Sequence, residues 1–211
     1  MSETTPEKRK PVVDTTQLPP QGRGLRAWLG RTFLRAFDWE VAGGVPNAKK
    51  AVLVAAPHTS NWDLPFSLSI AWVLGVHIQW MGKDTIFRFP FGAMMRALGG
   101  IPVDRSKSHN AVAAAVKLLK ESDELILMIP PEGTRSVAKR WKTGFYYTAV
   151  GADVPIVLGF LDFGRKRGGI GTLLYPTGDI ETDMEEVRRF YAGITGKHPH
   201  LMGEITVQKA E

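Results

Sequence analysis

The chain is predicted to fold as a single α/β domain: a mixed, mostly buried β-sheet flanked by helices, with an amphipathic helix on its N-terminal side. Three observations predict this. Short apolar runs recur at residues 51–56 (Ala-Val-Leu-Val-Ala-Ala), 124–129 and 154–160, as in strands covered on both faces of a sheet. Helix-length segments that open on Ser or Asp alternate with these runs. The 211 residues are 44% hydrophobic and 23% charged, enough for one domain with a sizeable core.

Taken in order, residues 1–21 are polar, charged and Pro-containing, and read as a disordered tail ahead of one domain over residues 22–211. They lack the apolar core of a signal peptide. Within residues 22–40, an amphipathic helix is expected over 24–39. Leu25, Trp28, Leu29, Phe33 and Phe37 recur at helical spacing, while Arg23, Arg26, Arg31 and Arg35 supply positive charge. Such a helix either lies in a membrane interface or packs its apolar face on the core.

Residues 51–56 form the first buried strand. Ser60 or Asp63 can cap the helix that follows, with Pro65 in its first turn. Residues 64–82 carry no formal charge, a length that could span a bilayer. Pro65, Ser67, Ser69, Gly75, His77 and Gln79 interrupt them, so a helix to about Leu74 and a strand over 76–80 account for them better. Phe87, Phe89, Phe91, Met94, Met95 and Leu98 make a greasy segment that packs in the core, lines an apolar channel or faces a bilayer.

An Ala-rich helix over 110–120, opened by Ser106 or Ser108, leads to the strand at 124–129. The strand at 154–160 continues through a hairpin turn at 162–171, which holds Arg165, Lys166 and Arg167, into 172–175. A helix over 182–194 has Asp183, Glu185 and Glu186 in its first turn, as the helix dipole favours. Residues 205–207 read as a last short strand.

Composition excludes some chemistry. Cys is absent, which removes disulfides, a Cys nucleophile and thiolate metal sites. The net charge of +6 and pI near 9.6 favour an anionic partner. The basic residues are not interleaved with exposed aromatics along one element, so a nucleic-acid partner is not expected. His77, His109, His198 and His200 show no metal-ligand spacing, and no metal is expected. The chain has no Gly-x-Ser-x-Gly elbow, phosphate loop or dinucleotide fingerprint.

Chemistry concentrates in two segments that each follow an apolar run. Residues 55–63, Ala-Ala-Pro-His-Thr-Ser-Asn-Trp-Asp, set His58 and Asp63 five positions apart. A His oriented by a carboxylate is a proton acceptor near neutral pH. Residues 130–135, Pro-Pro-Glu-Gly-Thr-Arg, set Glu132 and Arg135 around Gly133, where a φ > 0 turn can present an anion-binding Arg. Strand-to-helix junctions of this kind are where open α/β sheets bind ligands. Together they suggest proton removal from a hydroxyl on an anionic substrate. Lys139, Arg140 and Lys142 either meet an anionic carrier or solvate a helix face.

The His-x4-Asp pattern followed by Glu-Gly-Thr-Arg resembles the glycerolipid acyltransferase family, which includes 1-acylglycerol-3-phosphate acyltransferases. Gly100-Ile101-Pro102-Val103-Asp104-Arg105 and Val154-Pro155-Ile156-Val157 are similar to that family's second and fourth blocks, and all four occur in the family's order. Leu158 stands where many members carry a second Pro. The resemblance implies a glycerolphosphate-acyltransferase-like fold and acyl transfer from acyl-CoA or acyl carrier protein to a lysophospholipid, with 1-acylglycerol-3-phosphate foremost. It further implies His58 as general base, Asp63 orienting it, Arg105 and Arg135 on acceptor phosphate, and Glu132, Gly133 and Thr134 supporting the acceptor. No cofactor is expected beyond the donor. The protein is expected at the cytoplasmic face of the membrane, held peripherally, in phospholipid biosynthesis. Another lysolipid, a lipoamino acid or a glycolipid stays open as acceptor, as does a non-enzymatic, basic lipid-binding protein.

Overall fold

The structure, a computed structural model, describes residues 11–14, 17–103, 108–134, 136–137 and 140–207. Two short strands come first, β1 (Val12–Asp14) and β2 (Gln17–Leu18), then helix α1 (Gly24–Ala36) and strands β3 (Glu40–Gly43), β4 (Val45–Pro46) and β5 (Lys50–Ala56). Helix α2 (Asp63–Leu74), strand β6 (Ile78–Lys83), a 3-10 turn at Asp84–Phe87, helix α3 (Gly92–Ala97) and strand β7 (Gly100–Val103) follow. Next are α4 (Ser108–Glu121), β8 (Leu125–Ile129), α5 (Gly144–Ala152), β9 (Ile156–Asp162), β10 (Arg167–Tyr175), α6 (Ile180–Tyr191) and a 3-10 turn at Pro199–Leu201.

The main sheet runs β1-β10-β9-β5-β8-β6-β7, with β3 also pairing β10. From β9 to β7 every pairing is parallel. β10 turns back antiparallel on β9. The mixed sheet is therefore a parallel centre with an antiparallel edge, and the parallel strands deliver their carboxyl ends to one side. The period of two along β5 divides the core. Ala51 and Leu53 join the cluster under α1 and α2, while Val52, Val54 and Ala56 join the one under α4, α5 and α6.

Several expectations change. Of residues 1–21, expected to be a disordered tail, 1–10 and 15–16 lie outside the described residues, while Val12–Asp14 pairs with β10 and Gln17–Leu18 with β4. These strands, of three and two residues, are too short to show a period. The helix at 24–39 ends at Ala36, and Trp39 enters the core, stacked on Phe66 at 4.1 Å. Helix α1 also turns the other way from its strongest pattern. It buries Ala27, Gly30 and Leu34 and leaves Leu25, Trp28 and Leu29 exposed. Close approach to α2 is the reason: a Cβ at Gly30 would sit 2.6 Å from the Ser69 carbonyl oxygen.

Residues 64–82 split into α2 and β6 across Gly75, which caps α2 at φ 81°. Among the described residues, no helix is long and apolar enough to cross a membrane. The hairpin between β9 and β10 is tighter than 162–171, and its tip is tied down. Arg165 donates to Asp162 and to the Gly193 carbonyl, and Lys166 pairs with Asp38. Arg140 and Lys142 are exposed on the irregular approach to α5 rather than on a helix, and Lys139 lies outside the described residues. Residues 205–207 reduce to one bridge between Val207 and Trp141.

Candidate active site

β5 ends at Ala56, flanked in the sheet by β8 and β9, and the chain reaches α2 through residues 57–62. The loop folds onto itself. The Ser60 N–H donates to Asp63 Oδ2 at 2.9 Å, and the Trp62 N–H donates to Ser60 Oγ at 3.1 Å. This brings Asp63, in the first turn of α2, back under His58. Asp63 Oδ2 lies 2.9 Å from His58 Nδ1. The helix dipole favours a carboxylate there. Asp63 is 5% exposed, whereas the His58 side chain is 26% exposed. A carboxylate on Nδ1 fixes the ring proton there and leaves Nε2 as the basic nitrogen.

The second segment enters from β8. Gly133 has φ 64°, the left-handed turn expected of it. Glu132 faces the backbone of the other segment. Its Oε1 accepts the His58 backbone N–H at 3.1 Å, it is 9% exposed, and its Oε2 is buried without a partner among the described residues. Burial pushes its carboxyl above the ordinary range, against the lowering effect of the backbone hydrogen bonds it accepts. Glu132 thus supports the His58 loop from beneath and does not border the cavity described next.

A cavity of about 810 Å³ opens beside His58. His58, Ser60, Asn61, Asp63, Gly133 and Thr134 border it, and so do Lys83, Thr85 and Arg88. Its apolar walls include Ile70, Trp80, Met128, Leu161 and Ile170. Phe89 and Phe91 also border it and are 98% and 60% exposed, so the greasy segment divides. Phe87 is core, while Phe89 and Phe91 stand at the opening. The cavity therefore places a basic imidazole nitrogen beside room for a long apolar chain.

Of the sequence-predicted site residues, His58, Asp63, Gly133 and Thr134 come together at this cavity, Glu132 lies behind the loop, and Arg105 and Arg135 lie outside the described residues. The N–H groups at the start of α2 are a natural place for oxyanion donors, but those of Ser60, Trp62 and Asp63 are spent inside the loop. Sequence reasoning missed a further support. Thr59 is buried and accepts from the His198 N–H at 3.2 Å, and Lys197 Nζ lies 4.6 Å from the centroid of the Trp62 ring. No local pattern signals contacts between residues so distant in sequence. Among the described residues, no group of three or more His, Asp or Glu is placed to hold a metal.

A family sequence profile, described as Acyltransferase, matches residues 39–157. The matched region includes the His58–Asp63 loop, β8 and the Gly133 turn. No curated protein matches the chain. Among solved structures, the crystal structure of the 1-acyl-sn-glycerophosphate (LPA) acyltransferase PlsC from Thermotoga maritima shares the fold. Its TM-score is 0.54 and its identity 20%, over 79% of this chain and 73% of that one.

Proposed function

This chain belongs to the acyltransferase family, and from that premise we propose that it moves a fatty acyl group from a thioester donor to the hydroxyl of a lysophospholipid. The donor is acyl-CoA or acyl carrier protein, and 1-acylglycerol-3-phosphate is the leading acceptor. The observation that carries this reading is the His58–Asp63 pair, Nδ1 to Oδ2 at 2.9 Å, bordering a cavity lined mainly by apolar side chains. The activity of the Thermotoga maritima protein, which shares the fold, supports the choice of acceptor.

In the proposed reaction His58 Nε2 takes the acceptor's hydroxyl proton as its oxygen attacks the thioester carbonyl carbon. Asp63 stays ionised and stabilises the imidazolium that forms. When the tetrahedral intermediate collapses, the C–S bond breaks and the imidazolium returns its proton to the departing thiolate. The products are the acylated lipid and a free thiol. No protein nucleophile is needed, because the acceptor oxygen is the nucleophile. The apolar cavity walls suit a fatty acyl chain. Arg105 and Arg135 are assigned to the acceptor phosphate on the sequence resemblance.

The exposed face of α1 supports peripheral membrane contact. Leu25 and Trp28 are 70% and 58% exposed, and Arg26 and Arg35 are exposed on the same helix. Apolar anchors flanked by Arg suit an anionic lipid interface.

The test is direct. The purified protein is incubated with labelled acyl-CoA or acyl carrier protein and a panel of lysolipids, with products identified by mass. Acylation of 1-acylglycerol-3-phosphate is expected. Acylation only of a phosphate-free acceptor would move the assignment to another lysolipid or a glycolipid, and no product with any acceptor would leave a lipid-binding protein.

A further inference from the structure

Resting on the reading of His58 as general base, we propose that residues 194–198 form a strap that holds the catalytic loop in place, with Thr59 as the positioning residue through which it acts. The strap lies outside the matched stretch 39–157.

One end of the strap is anchored at the end of β9 and the turn that follows it. Asp162 is fully buried. Its Oδ1 accepts the Thr195 N–H at 3.4 Å, and the Phe163 N–H donates to the Thr195 carbonyl at 2.8 Å. Arg165 joins the two pieces, donating to Asp162 Oδ2 and to the Gly193 carbonyl, each at 2.8 Å. Burial alone would raise the Asp162 carboxyl, but the Arg165 guanidinium and the N–H groups of Arg165 and Thr195 hold it below the ordinary range. The anchor is thus an ionised, well-satisfied carboxylate.

The other end bears on the loop at three consecutive residues. Gly196 packs so closely that a Cβ there would sit 2.9 Å from Thr59 Oγ1 and 3.1 Å from Pro57 Cγ. Lys197 Nζ lies 4.6 Å from the centroid of the Trp62 ring and 5.8 Å from that of Phe163, within cation–π range of both. The His198 N–H donates to Thr59 Oγ1 at 3.2 Å. Pro57, Thr59 and Trp62 flank His58 and precede Asp63.

The loop between β5 and α2 is therefore held from two sides. Glu132 holds the His58 backbone from the segment after β8, and the strap holds the next residue, Thr59, from the C-terminal region. A general base needs its nitrogen within hydrogen-bond reach of the hydroxyl, and a misplacement of about 1 Å can cost a hundredfold in rate. Thr59 touches neither proposed substrate in this scheme, so its loss should act on turnover and not on binding.

The test is steady-state kinetics with acyl-CoA and 1-acylglycerol-3-phosphate on the full chain. Thr59→Val keeps the shape and removes the acceptor; kcat is expected to fall about tenfold or more, with both KM values within about twofold of wild type. Thr59→Ser keeps the hydroxyl and should restore kcat. Lys197→Met should lower kcat, and Lys197→Arg, which keeps the cation over Trp62, should not. If Thr59→Val fails to fold by circular dichroism, the Lys197 pair decides. Wild-type kcat in folded Thr59→Val, or in Lys197→Met where that pair decides, overturns the proposal. So does a raised acceptor KM at unchanged kcat, which would mean substrate contact. His58→Ala is the control. Full activity there removes the general-base reading itself, whereas an inactive His58→Ala beside fully active strap variants removes the strap alone.

Discussion

His58 Nδ1 and the backbone N–H of Ser60 share one oxygen, Asp63 Oδ2, each at 2.9 Å. Asp63 thus fixes both the ring and the path of the loop that carries it. His58→Ala is expected to lower acyl transfer by at least about 100-fold with the fold intact. Asp63→Asn is expected to lose about tenfold or more, because the charge facing the imidazolium and the enforced tautomer are gone. Both are read from initial rates of thiol release, with product mass confirming the reaction. A His58→Ala enzyme with more than a tenth of wild-type activity would sink the assignment.

Glu132 offers a test by pH. Its carboxyl is raised by burial, so above the ordinary carboxylate range the unfolded chain has released a proton that the folded state still holds. Stability therefore falls as pH rises through that window, to the raised value. Glu132→Gln keeps an acceptor for the His58 N–H and removes the buried charge. It should flatten the fall, seen as urea midpoints from pH 5 to pH 9, and keep most activity. Glu132→Ala leaves that N–H without its acceptor, and should cost about 1–3 kcal/mol where the N–H is sealed from water. A large rise in acceptor KM for Glu132→Gln would return this residue to a substrate-binding role.

The limits of sequence reading have physical causes here. Buried parallel strands such as β5 and β8 were legible because both faces are covered and the runs are continuously apolar. Helix α5 was not, because Gly-Phe-Tyr-Tyr-Thr-Ala-Val-Gly-Ala is greasy on every side and lacks a helical period. In α1 the periodicity picked out the stripe with the largest apolar side chains, whereas contact with α2 selected the small one, Ala27 and Gly30. At the site, His58 and Asp63 are close in sequence and were legible together. Glu132 was legible as a motif but not as a partner of a backbone N–H, since such bonds leave no trace in side-chain pattern. The Thr59–His198 contact spans 139 positions and had no local signal.

Arg105→Ala and Arg135→Ala should each raise the acceptor KM more than the donor KM. Both residues lie outside the described part of the chain, so this prediction rests on the sequence resemblance and on Thr134, next to Arg135, bordering the cavity. Guanidinium–phosphate contacts formed on binding act chiefly on KM. Kinetics with the acceptor varied at saturating donor measure the effect, and an unchanged acceptor KM in both variants removes the phosphate assignment.

The two faces of α1 make opposite predictions. Gly30 is buried where a Cβ would lie 2.6 Å from the Ser69 carbonyl oxygen, so Gly30→Val must push α1 off α2 and lower the melting temperature. Trp28 and Leu29 are 58% and 43% exposed, so changing both to Ser should leave melting within a few degrees. Phe33 is unsuitable for this surface test because it packs edge-on against Phe66 at 5.1 Å. If Trp28 and Leu29 enter a bilayer, losing even half of the roughly 1.5–3 kcal/mol that full burial of each provides should weaken vesicle binding tenfold or more, at about 1.4 kcal/mol per tenfold. Co-sedimentation with anionic phosphatidylglycerol vesicles measures this. Binding should also fall with salt, because each Arg near such a surface contributes about 1 kcal/mol that ions screen. Turnover of a short-chain, water-soluble lysolipid should persist in the Trp28→Ser, Leu29→Ser protein. Unfolding of that variant, or vesicle binding equal to wild type, would show that this face does not meet the membrane.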